Sequence, residues 1–122
     1  MTRKKVQKVV RVDQLKEGVT VKYLIKRQDR DAEAFAFKKN GEYFSYLNLC
    51  RHWTVGLDFD DNDFFSENGD WLVCKNHGAL YSPRSGQCAS GPCGGASLYK
   101  VPLFVKDGDL FADLEKIDWG EV

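Results

Sequence analysis

Short β-prone runs recur along this chain, and each is cut off by Gly, Asn, Asp or Pro before it reaches the length of an ordinary helix. Valines at 6, 9, 10 and 12 open the series, and Val19-Thr-Val-Lys-Tyr-Leu-Ile25 continues it with alternating branched and aromatic residues. Ala34-Phe-Ala-Phe37 and Tyr43-Phe-Ser-Tyr-Leu47 flank the turn Lys39-Asn40-Gly41-Glu42, a hairpin signature. Further runs follow at Trp71–Val73, Leu98–Val105 and, beyond the turn Asp107-Gly108-Asp109, at Leu110–Ala112. Only Val12–Glu17 and the stretch near Leu114 suit a short helical turn. The expected structure is all-β, a small antiparallel barrel or sandwich.

At 122 residues the chain suits one domain, and no repeat, low-complexity tract or long linker divides it. No stretch approaches the ~20 apolar residues that cross a bilayer, and the start runs into Gln7 and Lys8 without an apolar leader, so neither membrane insertion nor export is expected. The formal charge is zero but unevenly spread: residues 1–49 sum to +6 and residues 50–122 to −6. Such a division orients a charged partner at encounter, or amounts to two solvated faces that cancel in three dimensions. Nucleic acid is not an expected partner, because the basic residues are scattered and the acidic half repels phosphate.

Four cysteines in such a chain point to a reducing, cytoplasmic setting in which thiols serve metals or redox chemistry more often than structural disulfides. Cys50-Arg51-His52 follows one predicted strand, Cys74-Lys75-Asn76-His77 follows another, and 21 residues separate the two pairs. That interval is long enough to leave and return, bringing the pairs together. The chain has only two histidines and both are in these pairs. Cys with His suits an iron–sulfur centre or tetrahedral zinc, whereas calcium prefers oxygen. The acidic stretch Asp58–Phe65 lacks the glycine and terminal glutamate of a calcium loop, so Phe59, Phe64 and Phe65 are expected to anchor the excursion while the acids stay solvated.

The C-x-H…C-x-x-H pattern, continued by Gly78-Ala79-Leu80-Tyr81-Ser82-Pro83 and by Ser85-Gly86, resembles the Rieske ferredoxin family over almost the whole chain, as far as Phe111. The resemblance implies one 2Fe-2S cluster, with Cys50 and Cys74 on one iron and His52 and His77 on the other. It also implies a single domain over 1–122, with a cluster-binding subdomain at about 48–95 inserted in the β base, and Ser90-Gly91-Pro92 as a loop covering the cluster. High-potential relatives carry a disulfide between the ligand loops, but Val55 and Asn76 stand at the matching positions here. They also carry a serine two residues after the second histidine and a tyrosine four after it. This chain has Ala79 and Tyr81 there. With Pro92, these two are the residues expected to tune the cluster, and the resemblance implies a potential in the lower part of the roughly −150 to +300 mV Rieske range.

Cys88 and Cys93 exceed the four ligands, so they are expected to be small thiols packed around the cover loop, with a local disulfide as the alternative. The functional expectation is a soluble, monomeric electron carrier, or the small Rieske subunit of a multi-subunit oxidoreductase. Its partners are a reductase as donor and an oxygenase or other oxidoreductase as acceptor, docking where the histidines face solvent. A zinc-binding structural module is the alternative. A complete oxygenase is excluded, because mononuclear iron commonly takes two further histidines that this chain lacks.

Overall fold

The structure is a computed structural model, and it describes residues 6–25, 32–48, 64–66, 69–74, 78–91 and 96–117 of the chain. Nine strands lie within them: β1 (Val6–Arg11), β2 (Thr20–Ile25), β3 (Ala32–Lys39), β4 (Glu42–Leu47), β5 (Leu72–Val73), β6 (Leu80–Tyr81), β7 (Cys88–Ser90), β8 (Leu103–Lys106) and β9 (Asp109–Asp113). They form three antiparallel sheets of order β1-β9-β8, β2-β3-β4 and β5-β6-β7. The all-β expectation holds. Where helical turns were expected, single 3-10 turns occur at Val12–Gln14 and Leu114–Lys116.

Both predicted hairpins close on two residues with positive φ, Asn40 and Gly41 at 53° and 80° and Asp107 and Gly108 at 53° and 78°. Two consecutive left-handed residues give the turn twist that matches twisted strands. The register follows, pairing Phe37 with Phe44 and Phe35 with Tyr46.

That register sorts the central sheet β2-β3-β4 into two unlike faces, because alternate residues of a strand point to opposite sides. Phe35, Phe37, Phe44 and Tyr46 make one face aromatic and belong to one core with Phe64, Leu72, Cys74, Ala79, Tyr81 and Leu98. Phe64 stacks on Phe35 with centroids 4.1 Å apart, and Phe65 meets Phe37 edge-on at 5.1 Å. Those two rings anchor the returning excursion as expected, whereas Phe59 lies outside the described residues.

The opposite face carries the small residues Ala34 and Ala36, with Ser45 and Leu47 from β4. Ala34 and Leu47 pack with Val101, Ala112 and Ile117, and Ala36 packs with Leu15 and Leu110. The β1-β9-β8 sheet thus covers the side that alanine leaves shallow. Ser45 is buried there, donating to the Phe35 carbonyl at 2.8 Å and receiving the Tyr23 hydroxyl at 2.5 Å, so its burial leaves no polar atom unpaired.

Two features depart from the sequence expectation. β6 and β7 have only two and three residues, too short to show a period. The run Leu98–Val105 splits at Pro102, whose ring removes an N–H from the ladder. Ahead of that proline the chain stitches two sheets together: Cys88 N–H donates to the Ala96 carbonyl at 2.9 Å, Leu47 N–H to the Tyr99 carbonyl at 2.8 Å and Val101 N–H to the Ser45 carbonyl at 2.9 Å. β8 begins only after it.

Candidate metal centre

Of the expected site residues, Cys74, Ala79 and Tyr81 are described, while Cys50, His52, His77 and Pro92 lie outside the described residues. Among the described residues no three Cys, His, Asp or Glu side chains come together as a metal site. The centre is therefore built from the elements that lead into and out of it.

The strand that delivers Cys50 is fixed at its end. Asn48, buried beyond β4, donates through its backbone N–H to the Glu33 carbonyl at 2.8 Å and through its side-chain amide to the Glu33 carboxylate at 2.5 Å. Two bonds from one residue to another hold both the position and the direction of the chain as it leaves the sheet.

Of the second pair, Cys74 follows directly on the strand β5 of a hairpin. β5 pairs with β6, Leu72 with Tyr81 and Val73 with Leu80. Beyond β5, Cys74 N–H donates to the Ala79 carbonyl at 2.9 Å and Gly78 N–H to the Cys74 carbonyl at 2.7 Å, closing residues 74–79 into a tight loop. Cys74, which forms no disulfide, is fully buried at the start of that loop. Ala79 and Tyr81 are fully buried beside it, in a core shared with Phe64 and Leu72.

The end of β7 lies on this loop. Gly91 has φ +100°, and a Cβ placed there would come 2.8 Å from the Ala79 Cα. Only glycine allows so close an approach of one backbone to another. A buried cysteine outside any disulfide, held among aromatic and aliphatic side chains, fits a cluster that takes thiolate ligands and is tuned by solvent exclusion.

The expectation of free thiols in the cover loop is corrected at Cys88. This residue is disulfide-bonded, and its partner lies outside the described residues. Two strand contacts hold it in place, the pairing with Tyr81 and the bond from its N–H to Ala96.

The family model of the Rieske [2Fe-2S] domain matches residues 5–107. The chain belongs to the Rieske [2Fe-2S] domain family. It accordingly takes one 2Fe-2S cluster. Comparison with curated proteins gives no match.

Among solved structures, the fold is similar to a ferredoxin of Sphingomonas yanoikuyae B1, at TM-score 0.67 and 22% identity, covering 91% of this chain and 98% of that one. It is similar to the ferredoxin of carbazole 1,9a-dioxygenase from Nocardioides aromaticivorans IC177, at TM-score 0.66 and 20% identity, covering 88% and 95%. A third match, at TM-score 0.68 and 21% identity and covering 88% and 92%, is a chain in a complex of reduced oxygenase and oxidised ferredoxin of carbazole 1,9a-dioxygenase.

Sequence reasoning missed the Glu33–Asn48 clamp and the packing of Gly91 on Ala79. The motif Ser90-Gly91-Pro92 marked the glycine, but only three-dimensional proximity shows what it touches. Asn48 carried no signal beyond its place two residues before Cys50.

Proposed function

We propose that this Rieske chain is a one-electron carrier that takes electrons from a reductase and delivers them to a terminal oxygenase. In this reading Cys50 and Cys74 bind one iron of the cluster, His52 and His77 bind the other, and residues 48–95 form the cluster-binding subdomain. When bound, the cluster supplies one-electron chemistry at a potential raised by its two neutral imidazoles relative to a four-cysteine cluster. The observation that carries the reading is the buried, non-disulfide Cys74 that follows β5, in the second of the two Cys–His pairs.

The surrounding residues have separable tasks. Phe64, Leu72 and Ala79 exclude water from the thiol, and Gly91 lets the cover loop lie on the turn. In this reading Tyr81 donates its hydroxyl towards a cluster sulfur, and Ala79 stands where a serine would donate a second such bond. The oxygenase acceptor rests on the similarity to ferredoxins that serve carbazole 1,9a-dioxygenase. A cytoplasmic location is part of the proposal, since thiolate ligands persist in a reducing compartment. Among the described residues no helix is long and apolar enough to cross a membrane.

Coulometric titration tests the carrier role: one electron per chain is expected, with reoxidation by an oxygenase of the same cell. Ligand roles are tested by His52→Cys and His77→Cys, each expected to lower the potential by adding thiolate charge where the cluster is retained. A rise in potential would remove the histidine concerned from the ligand set.

A further inference from the structure

Glu42, Phe44 and Tyr46 occupy alternate positions of β4 and so share one side of the sheet. All three meet the turn that joins β6 to β7. Arg84 pairs with the Glu42 carboxylate at 3.2 Å, and its guanidinium lies 5.6 Å from the centroid of the Phe44 ring. Both contacts are at the exposed rim, where an ion pair contributes little.

Tyr46 is different, being fully buried with its hydroxyl donating to the Pro83 carbonyl at 2.8 Å. Its ring also fills the space beside Gly86, where an added Cβ would stand 2.7 Å from Cε1. The turn itself is stiff, with Gly86 N–H on the Ser82 carbonyl at 2.7 Å and Ser82 N–H on the Gln87 carbonyl at 2.9 Å.

The two ends of this contact lead to the two halves of the centre. Pro83 follows Tyr81 by two residues on the arm that returns from the 74–79 loop, and Tyr46 precedes Cys50 by four on the strand that supplies the first pair. A bond between them fixes one arm against the other. Burial also holds the phenol protonated above the ordinary tyrosine range, so it remains a donor at any working pH.

We propose that Tyr46 is a positioning residue, tying the arm that carries Tyr81 to the strand that leads to Cys50 and thereby setting the cluster's potential through the aim of the Tyr81 hydroxyl. This rests on the reading of Tyr81 as a donor to cluster sulfur. Loss of the Tyr46 hydroxyl lets the turn drift, lengthens the Tyr81 bond and weakens its preference for the reduced cluster.

The test is a double-mutant cycle on holoprotein, read by voltammetry with iron content and thermal midpoint measured alongside. Two irons per chain are expected in every variant. Tyr46→Phe should lower the potential by less than Tyr81→Phe does, and the double variant should match Tyr81→Phe alone. Gly86→Ala, which crowds the Tyr46 ring at 2.7 Å and strains the turn backbone at φ +76° while keeping the phenol, should lower it too, and it serves where Tyr46→Phe yields too little holoprotein. An unchanged potential in Tyr46→Phe or, failing that variant, in Gly86→Ala would overturn the proposal, as would shifts that simply add in the double variant. Were Tyr81→Phe itself without effect, the reading of Tyr81 would fall first and this route with it.

Discussion

Ala79 and Tyr81 stand two residues apart beside Cys74, and both are fully buried. Reduction adds one negative charge to a cluster, so a hydroxyl donating to its sulfurs stabilises the reduced form more than the oxidised one. Ala79→Ser is therefore expected to raise the potential and Tyr81→Phe to lower it. A hydrogen bond to a charged group contributes about 1.5–3 kcal/mol, and about 1.4 kcal/mol corresponds to 59 mV for one electron, so roughly 130 mV is the ceiling. Tens of millivolts are expected, because the oxidised cluster accepts the same bond. Voltammetry of the two variants checks both signs. At this scale the sequence pattern was legible wherever a residue type is itself the chemistry, as at Cys74. It was silent where chemistry depends on a neighbour distant in sequence, as for Tyr46 on Pro83.

Tyr23 shows the same dependence. Burial pushes its phenol up to about 12 from the ordinary 10.0, against the smaller opposing effect of the hydrogen bond with Ser45. The unfolded chain ionises near 10 while the folded chain resists, so the unfolded state gains the advantage as pH rises between those values. Stability should be intact below pH 10 and decline towards 12. Urea midpoints over that range should fall less steeply in Tyr23→Phe than in the parent chain.

At the scale of elements, the β3–β4 hairpin is held at its tip by a residue from elsewhere. The Glu17 carboxylate accepts the backbone N–H groups of Asn40 at 2.9 Å and Gly41 at 3.1 Å, bonds that lower its pKa below the ordinary 4.5, with that to Gly41 the larger cause. A depressed carboxylate pKa stabilises the fold above the unfolded value, and the contribution disappears as pH falls through the folded one. Hydrogen exchange at Asn40 and Gly41, corrected for intrinsic rates, should lose protection on acidification below 4.5 and be low at all pH in Glu17→Ala. Asn40-Gly41 was readable as a turn from sequence, but nothing local revealed that Glu17 caps it.

The stack of Phe64 on Phe35 is the other element-scale joint, since it fastens the returning excursion to the central sheet. Phe64→Ala removes a fully buried ring and should cost about 3–5 kcal/mol, measured by denaturant unfolding. Phe64 and Phe65 were legible as anchors because large apolar side chains among acids have few other uses. The strands β6 and β7 were not, because two or three residues display no alternation and their pairing is closed by the hydrogen-bonded turn from Ser82 to Gln87.

At the scale of the molecule, the division of labour follows from one sheet with two unlike faces. Alanines turn the small face to the β1-β9-β8 sheet, and aromatic rings turn the other to the β5-β6-β7 sheet that carries Cys74. The all-β class and two of the hairpins were readable because turn chemistry and period-two patterning act locally. The arrangement of the sheets was not, since it depends on which face each strand buries and on the stitch from Ala96 to Val101.

The central claim is a binuclear cluster with two thiolates on one iron and two imidazoles on the other. The Mössbauer spectrum of isotopically enriched, oxidised protein tests it most directly, because the two irons then differ in ligand type. Two doublets of equal area are expected, one from a sulfur-rich site and one from a site with nitrogen ligands, at two irons per chain. A single doublet from equivalent irons, or zinc in place of iron, would contradict it.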